Sequence, residues 1–136
     1  MEKAVPIKTP IGYFKNHRDG IILTNIQWSN SKIIFSCNIT DNAILDATTK
    51  EKEYEFKLIF DGVISLFHAE LDTYYQIEKD FQKPKVTKSI FEEINNSDYI
   101  AKLPIRSDWG EVKHYCLSTY DDIFNILAKA YTFELL

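Results

Sequence analysis

Residues 53–71, EYEFKLIFDGVISLFHAEL, constrain this chain more than any other stretch. Apolar and polar residues alternate on both sides of Asp61-Gly62, and a period of two marks a strand with one buried face. Asp-Gly between two such runs favours a two-residue hairpin turn, because both central residues need positive φ, which Gly takes freely and Asp tolerates. That turn sets a register in which Phe60 faces Val63, Leu58 faces Ser65, Phe56 faces Phe67 and Tyr54 faces Ala69, all on one apolar side. Phe56 and Phe67 are then core neighbours. The other side pairs Ile59 with Ile64, Lys57 with Leu66, Glu55 with His68 and Glu53 with Glu70, apolar near the turn and charged at the open end. A competing reading keeps similar faces: one long strand bent at Gly62 by a bulge.

Flanking segments follow the same rule. Residues 21–28 read as a strand with Ile22, Ile26 and Trp28 on one side, interrupted by Thr24, and Ser29-Asn30-Ser31 as a turn. Lys32–Thr40 alternates cleanly, with Ile33, Phe35, Cys37 and Ile39 on the apolar face. Residues 41–52 form a polar loop with room for one helical turn. Residues 72–80 extend the second arm or begin a further strand, and residues 81–87, with Lys83, Pro84 and Lys85, read as a loop. The period then changes. Ser89 and Glu92 fit a capping box, with Ile90, Phe91 and Ile94 on one helical face. Ser97 is placed to cap a second short helix that Pro104 stops. Asp108-Trp109-Gly110 reads as a turn and residues 111–120 as a strand. Residues 121–130 fit both a helical stripe and a strand, with periodicity slightly favouring the helix, and residues 131–135 are strand-like in either case.

The chain is 136 residues long, enough for one domain, and its 45% hydrophobic and 14% aromatic content supplies a core. A net charge of −4 argues against a dedicated nucleic-acid binder and mildly favours a basic partner or none. No run reaches the length of a membrane span, and MEKAVPIKTP has no apolar core of a signal peptide. Cys37 and Cys116 make no disulfide framework, so a reducing cytoplasm is the expected compartment.

Chemistry-bearing constellations are sparse. His68 and Glu70 share one strand face, as do His114 and Cys116. If those faces met, the four would offer N, O and S donors suited to zinc, a small ligand or catalysis. The tight paired spacings of structural zinc sites are missing, and residues at i and i+2 lie about 7 Å apart along a strand, too far for His114 to activate Cys116 comfortably. The expectation is no metal and no catalytic residue. Phosphate-loop, dinucleotide and nucleophile-elbow motifs are absent, so no cofactor is expected. Lys79, Lys83, Lys85 and Lys88 form a modest basic patch without interleaved aromatics. Asp121 and Asp122 sit at an exposed turn and are the first candidates for contact with a basic partner.

Phe60-Asp61-Gly62-Val63 followed by Glu70, then Lys113-His114-Tyr115, Thr119-Tyr120-Asp121-Asp122 and Ile126-Leu127-Ala128, resemble the layout of small acidic bacterial proteins, some of which are similar to immunity proteins that neutralise polymorphic toxins. The resemblance covers the last two-thirds of the chain and transfers no catalytic residue. It implies that the segment after Asp121-Asp122 pairs as a strand, and it tips the choice there toward a hairpin.

Together these readings predict one α+β domain over residues 1–136, with an extended N-terminal arm at about 1–12. A curved, mostly antiparallel sheet, at the limit a half-barrel, carries one or two short helices at 89–103. The function expected is a non-catalytic protein-binding module, an immunity-type inhibitor of a basic toxin. The alternative is a small-ligand-binding barrel or an enzyme using His68, Glu70, His114 and Cys116 inside the sheet.

Overall fold

The computed structural model describes residues 2–16, 20–45, 47, 52–74 and 89–136. Its architecture is α+β and mostly antiparallel. The strands are β1 (Lys3–Pro6), β2 (Lys8–Thr9), β3 (Gly12–Tyr13), β4 (Ile21–Ser29), β5 (Lys32–Thr40), β6 (Glu53–Asp61), β7 (Ser65–Glu70), β8 (Phe91–Asn95), β9 (Lys113–Ser118), β10 (Asp122–Ala128) and β11 (Ala130–Leu135). Among the described residues the helical pieces are short: α1 (Asp98–Lys102), residues 71–74, and two 3-10 turns at Asp41–Ala43 and Ser107–Trp109. A five-stranded sheet runs β1-β8-β9-β10-β7, a four-stranded sheet β11-β6-β5-β4, and β2-β3 form a small ribbon. The sheets do not close into a barrel.

The Asp61-Gly62 hairpin does not form. β6 pairs with β5 and β11, and β7 pairs with β10, so the two arms lie in different sheets. The bent-strand reading is the closer one. Gly62, at φ +63°, turns the chain out of one sheet and into the other, and Lys129 does the same between β10 and β11. β6–β7 and β10–β11 therefore run as one antiparallel ribbon folded over at Gly62 and Lys129. The two corners touch, since a Cβ on Gly62 would lie 2.8 Å from the Lys129 side chain. Bonds from Lys129 N–H to the Asp61 carbonyl and from Ile64 N–H to the Leu127 carbonyl, both 2.9 Å, close the bend. A switch of sheet at a glycine bend is how strand corners are built. Phe56 and Phe67 accordingly part company: Phe56 is in the main core and Phe67 packs on a smaller cluster.

The inner faces of the two sheets meet over an aromatic core. Phe35 meets Phe124 edge-on with ring centroids 5.0 Å apart, and Phe60 lies 5.3 Å from Tyr115. β5 supplies Ile33, Phe35, Cys37 and Ile39 to it, as its alternation requires. In β4, a bulge between Leu23 and Asn25 shifts the register at Thr24. Ile26 and Trp28 therefore stand on the side of Phe35 and Ile33, while Ile22 points the other way, so the three do not share one face.

The N-terminal arm is built into the fold: β1 pairs with β8 along Lys3–Pro6. The capping box at Ser89 makes no helix. Ser89 Oγ accepts the N–H of Phe91, two residues on, and the segment enters β8 between β1 and β9. Two waiting strand partners outweigh a local cap, because each backbone group gains a ladder bond and Phe91 becomes fully buried. Ser97 does cap α1, accepting the Ile100 N–H at 3.1 Å. Residues 71–74 turn helically instead of prolonging β7. The expected loop at 81–87 and its lysines fall outside the described residues.

Candidate functional site

Asp121 and Asp122 occupy the tight turn between β9 and β10, Asp121 exposed and Asp122 half-buried. The register of β10 against β7 sets Asp122 directly opposite Glu70, and the Leu71 N–H donates to the Asp121 carbonyl at 2.7 Å. Sheet pairing thus brings Asp121 and Asp122 to the same end as Glu70 and Asp72, which lie far earlier in the chain. Each carboxylate has a distinct local setting. Asp122 Oδ1 lies 2.7 Å from His68 Nε2, whose ring stacks on Phe124 at 4.8 Å. Glu70 accepts from the backbone N–H groups of Asp72 and Thr73 and from the Thr73 hydroxyl, which stops β7 and starts the helical turn after it. Asp72 and Asp121 are exposed, as is Tyr120, the residue before Asp121.

His114 is elsewhere and of another character. It is buried on the outer face of the five-stranded sheet, the face turned away from the four-stranded one. Its Nε2 lies 2.7 Å from Asn125 Oδ1 on the neighbouring strand, and its Nδ1 lies 2.7 Å from Ser97 Oγ. An amide oxygen only accepts, so Nε2 carries a proton, and in the neutral ring Nδ1 accepts from the Ser97 hydroxyl. Ser97 Oγ accepts in turn from the Ile100 N–H. Tyr99 places its ring 5.8 Å from the imidazole and its hydroxyl 3.3 Å from Ser65 Oγ on β7. An open cavity of about 460 Å³ adjoins the network, lined in part by Ser97, His114, Glu111 and Lys113. A hydroxyl–imidazole–amide chain has the order of a nucleophile and its base, but this hydroxyl is already committed as a helix cap. What the chain accomplishes is to clamp α1 onto β9 and β10.

The four residues expected to offer N, O and S donors are not brought together. His114 and Cys116 face outward on β9, His68 and Glu70 face the other side on β7, and β10 runs between them. Among the described residues, no group of three or more His, Cys, Asp and Glu is placed to hold a metal ion. Cys116 is buried opposite Asn125 and Glu92. Cys37 lies in the main core, where burial pushes its thiol up to about 12. Tyr115 is likewise pushed up to about 12, chiefly by burial and then by Glu93, Tyr131 and Glu111.

Asn125 and Ser97 escaped sequence reasoning as partners of His114. The signal for Asn125 was present: a lone amide inside the apolar run Ile123-Phe124-Asn125-Ile126-Leu127-Ala128 must find a partner if that run is buried. No helix among the described residues is long and apolar enough to cross a membrane. Comparison with protein-family models, with curated proteins and with solved structures finds no match.

Proposed function

We propose that this protein is a non-catalytic protein-binding module, an immunity-type inhibitor that docks a basic partner through the end of the five-stranded sheet around Asp121. The observation that carries the reading is the register of β10 against β7, which gathers Asp121, Asp122, Glu70 and Asp72 at one end of a chain with net charge −4. Carboxylates concentrated on one rim attract a basic surface over a Debye length and set its approach, acting more on association rate than on final affinity. Asp122 also holds His68, and Asp121 and Asp72 are the exposed acids at this end that a partner surface reaches first. Two buried cysteines that form no disulfide suit a reducing cytoplasm for this role.

The test uses the basic product of a gene adjoining this one as the probe. Its association with the protein, followed by stopped-flow or surface plasmon resonance, is expected to slow as salt rises. Asp121→Lys with Asp72→Lys is expected to slow it by roughly tenfold or more at low salt, with the thermal melt nearly unchanged. Association that ignores both salt and the double substitution removes this end of the sheet from the interface.

A further inference from the structure

Among the described residues the two large sheets present four edges, β1 and β7 on one and β4 and β11 on the other. β1 carries Lys3, β7 carries His68 and Glu70, and β11 carries Glu134. β4, IILTNIQWS, has neither a charge nor a proline in nine residues, and everything from Thr24 onward is exposed. Ile26 is 39% and Trp28 59% exposed. Edge strands are ordinarily blunted by lysine, proline or brevity, because their outward N–H and C=O groups are a template for another strand. On β4 the bulge at Thr24 and a bond from the Tyr120 N–H to the Ile21 carbonyl, 2.8 Å, protect the first residues, and they leave residues 25–29 regular.

We propose that β4 pairs antiparallel with β4 of a second copy of this chain, about a two-fold axis at Gln27. The register follows from the hairpin. Ser29 lies opposite Lys32 across the two-residue Asn30-Ser31 turn, with Asn30 at φ 54°. Such a turn closes on a hydrogen-bonded pair, so the backbone groups of Ser29, Gln27 and Asn25 point toward β5 and those of Trp28 and Ile26 point outward. Centring the axis on Gln27 sets Ile26 of each copy opposite Trp28 of the other, and both pairs exchange backbone bonds. Side chains then match by face: isoleucine against tryptophan on one side, and Asn25, Gln27 and Ser29 against Ser29, Gln27 and Asn25 on the other. Aromatic against β-branched is a favourable cross-strand pair.

Charge selects a second copy over a foreign strand. In a two-fold pair, residues near the axis face themselves or near neighbours of the same strand, so a charged edge repels its mate. Among the described edges β4 is the one with no charged residue, so it escapes this in every register. It also offers a charged partner nothing to recognise. The product is a continuous eight-stranded sheet whose contact centres on residues 25–29, while the turn carrying Asp121 lies at the far end of β4, where the Tyr120 N–H bonds the Ile21 carbonyl.

Sedimentation of the full chain over a range of concentrations tests the proposal. The wild-type protein is expected to dimerise. Gln27→Glu and Gln27→Lys each set like charges face to face at the axis and are expected to weaken the dimer by about tenfold or more. An equimolar mixture of the two is expected to recover pairing, as opposite charges then meet. Gln27 is exposed, so unchanged thermal melts will certify the fold of each variant. Salt is expected to leave the dimer as tight or tighter, since both copies carry −4, which is opposite to its effect on a basic partner and separates the two proposals. A wild-type monomer at every concentration, variants that dimerise like the wild type, or a mixture no tighter than its components would each overturn the self-pairing.

Discussion

The two large sheets share a core between their inner faces and differ on their outer ones. On the four-stranded sheet the outer face carries Ile34, Ser36, Lys57, Ile59, Thr132 and Glu134, all half-buried or exposed. On the five-stranded sheet it carries His114, Cys116, Ile123, Asn125 and Leu127, all buried. The difference shows in composition. The solvated face keeps the polar alternation of a sheet buried on one side, whereas the covered sheet has a central strand, β10, that is apolar almost throughout. It also shows in polar chemistry. An amide on the open face is satisfied by water, but Asn125 on the covered face needs His114, and His114 needs Ser97.

Truncation offers the largest test of that contrast. Leu127→Ala, at a fully buried outer-face position, is expected to cost about 2–5 kcal/mol in urea denaturation. Ile59→Ala, its counterpart on the open face, removes a half-exposed side chain and is expected to cost about 1 kcal/mol. Equal costs would mean that the outer faces are covered alike.

The polar network comes next. His114→Ala takes the imidazole from between Ser97 and Asn125, and the cost expected is about 1–3 kcal/mol for each buried group left without that partner. The same denaturation assay measures it, and amide exchange in α1 is expected to quicken as the clamp opens. A protein with wild-type stability and α1 protection would show that packing alone holds the helix.

A smaller, graded effect isolates the inner face. Burial holds the Cys37 thiol at about 12 against an ordinary value of 9.0. Between those values the unfolded chain binds fewer protons than the folded one, so stability is whole below pH 9 and falls as pH rises toward 12. The slope expected from this one group is about 1.4 kcal/mol per pH unit. Cys37→Ala should delay the decline toward pH 10, where Tyr115, raised from 10.0 for the same reason, begins to contribute. Urea midpoints taken from pH 8 upward decide it, and identical alkaline profiles for the two proteins would remove Cys37 as the source.

Strand identity was legible wherever one face is dry and the other wet. β5 follows its alternation residue for residue, and the Ser97 cap and the Ser29–Ser31 turn were readable because their chemistry is local. β10 was ambiguous for a physical reason: buried on both faces, it loses the polar half of its period, and a stripe of apolar residues then fits a helix equally well. Ser89 to Ile94 carried a helical signal that β1 and β9 overrode by offering ladder bonds on both sides. Asp61-Gly62 determined that the chain turns there, since Gly62 takes positive φ. Whether it turns back on itself or passes into a second sheet depended on β10–β11, about 70 residues downstream, bending at Lys129 to keep the ribbon paired. The site divides the same way. Asp121 and Asp122 could be placed on a turn from sequence, but their company with Glu70 and Asp72, and the meeting of His114 with Asn125, are matters of register between strands, which only tertiary pairing decides.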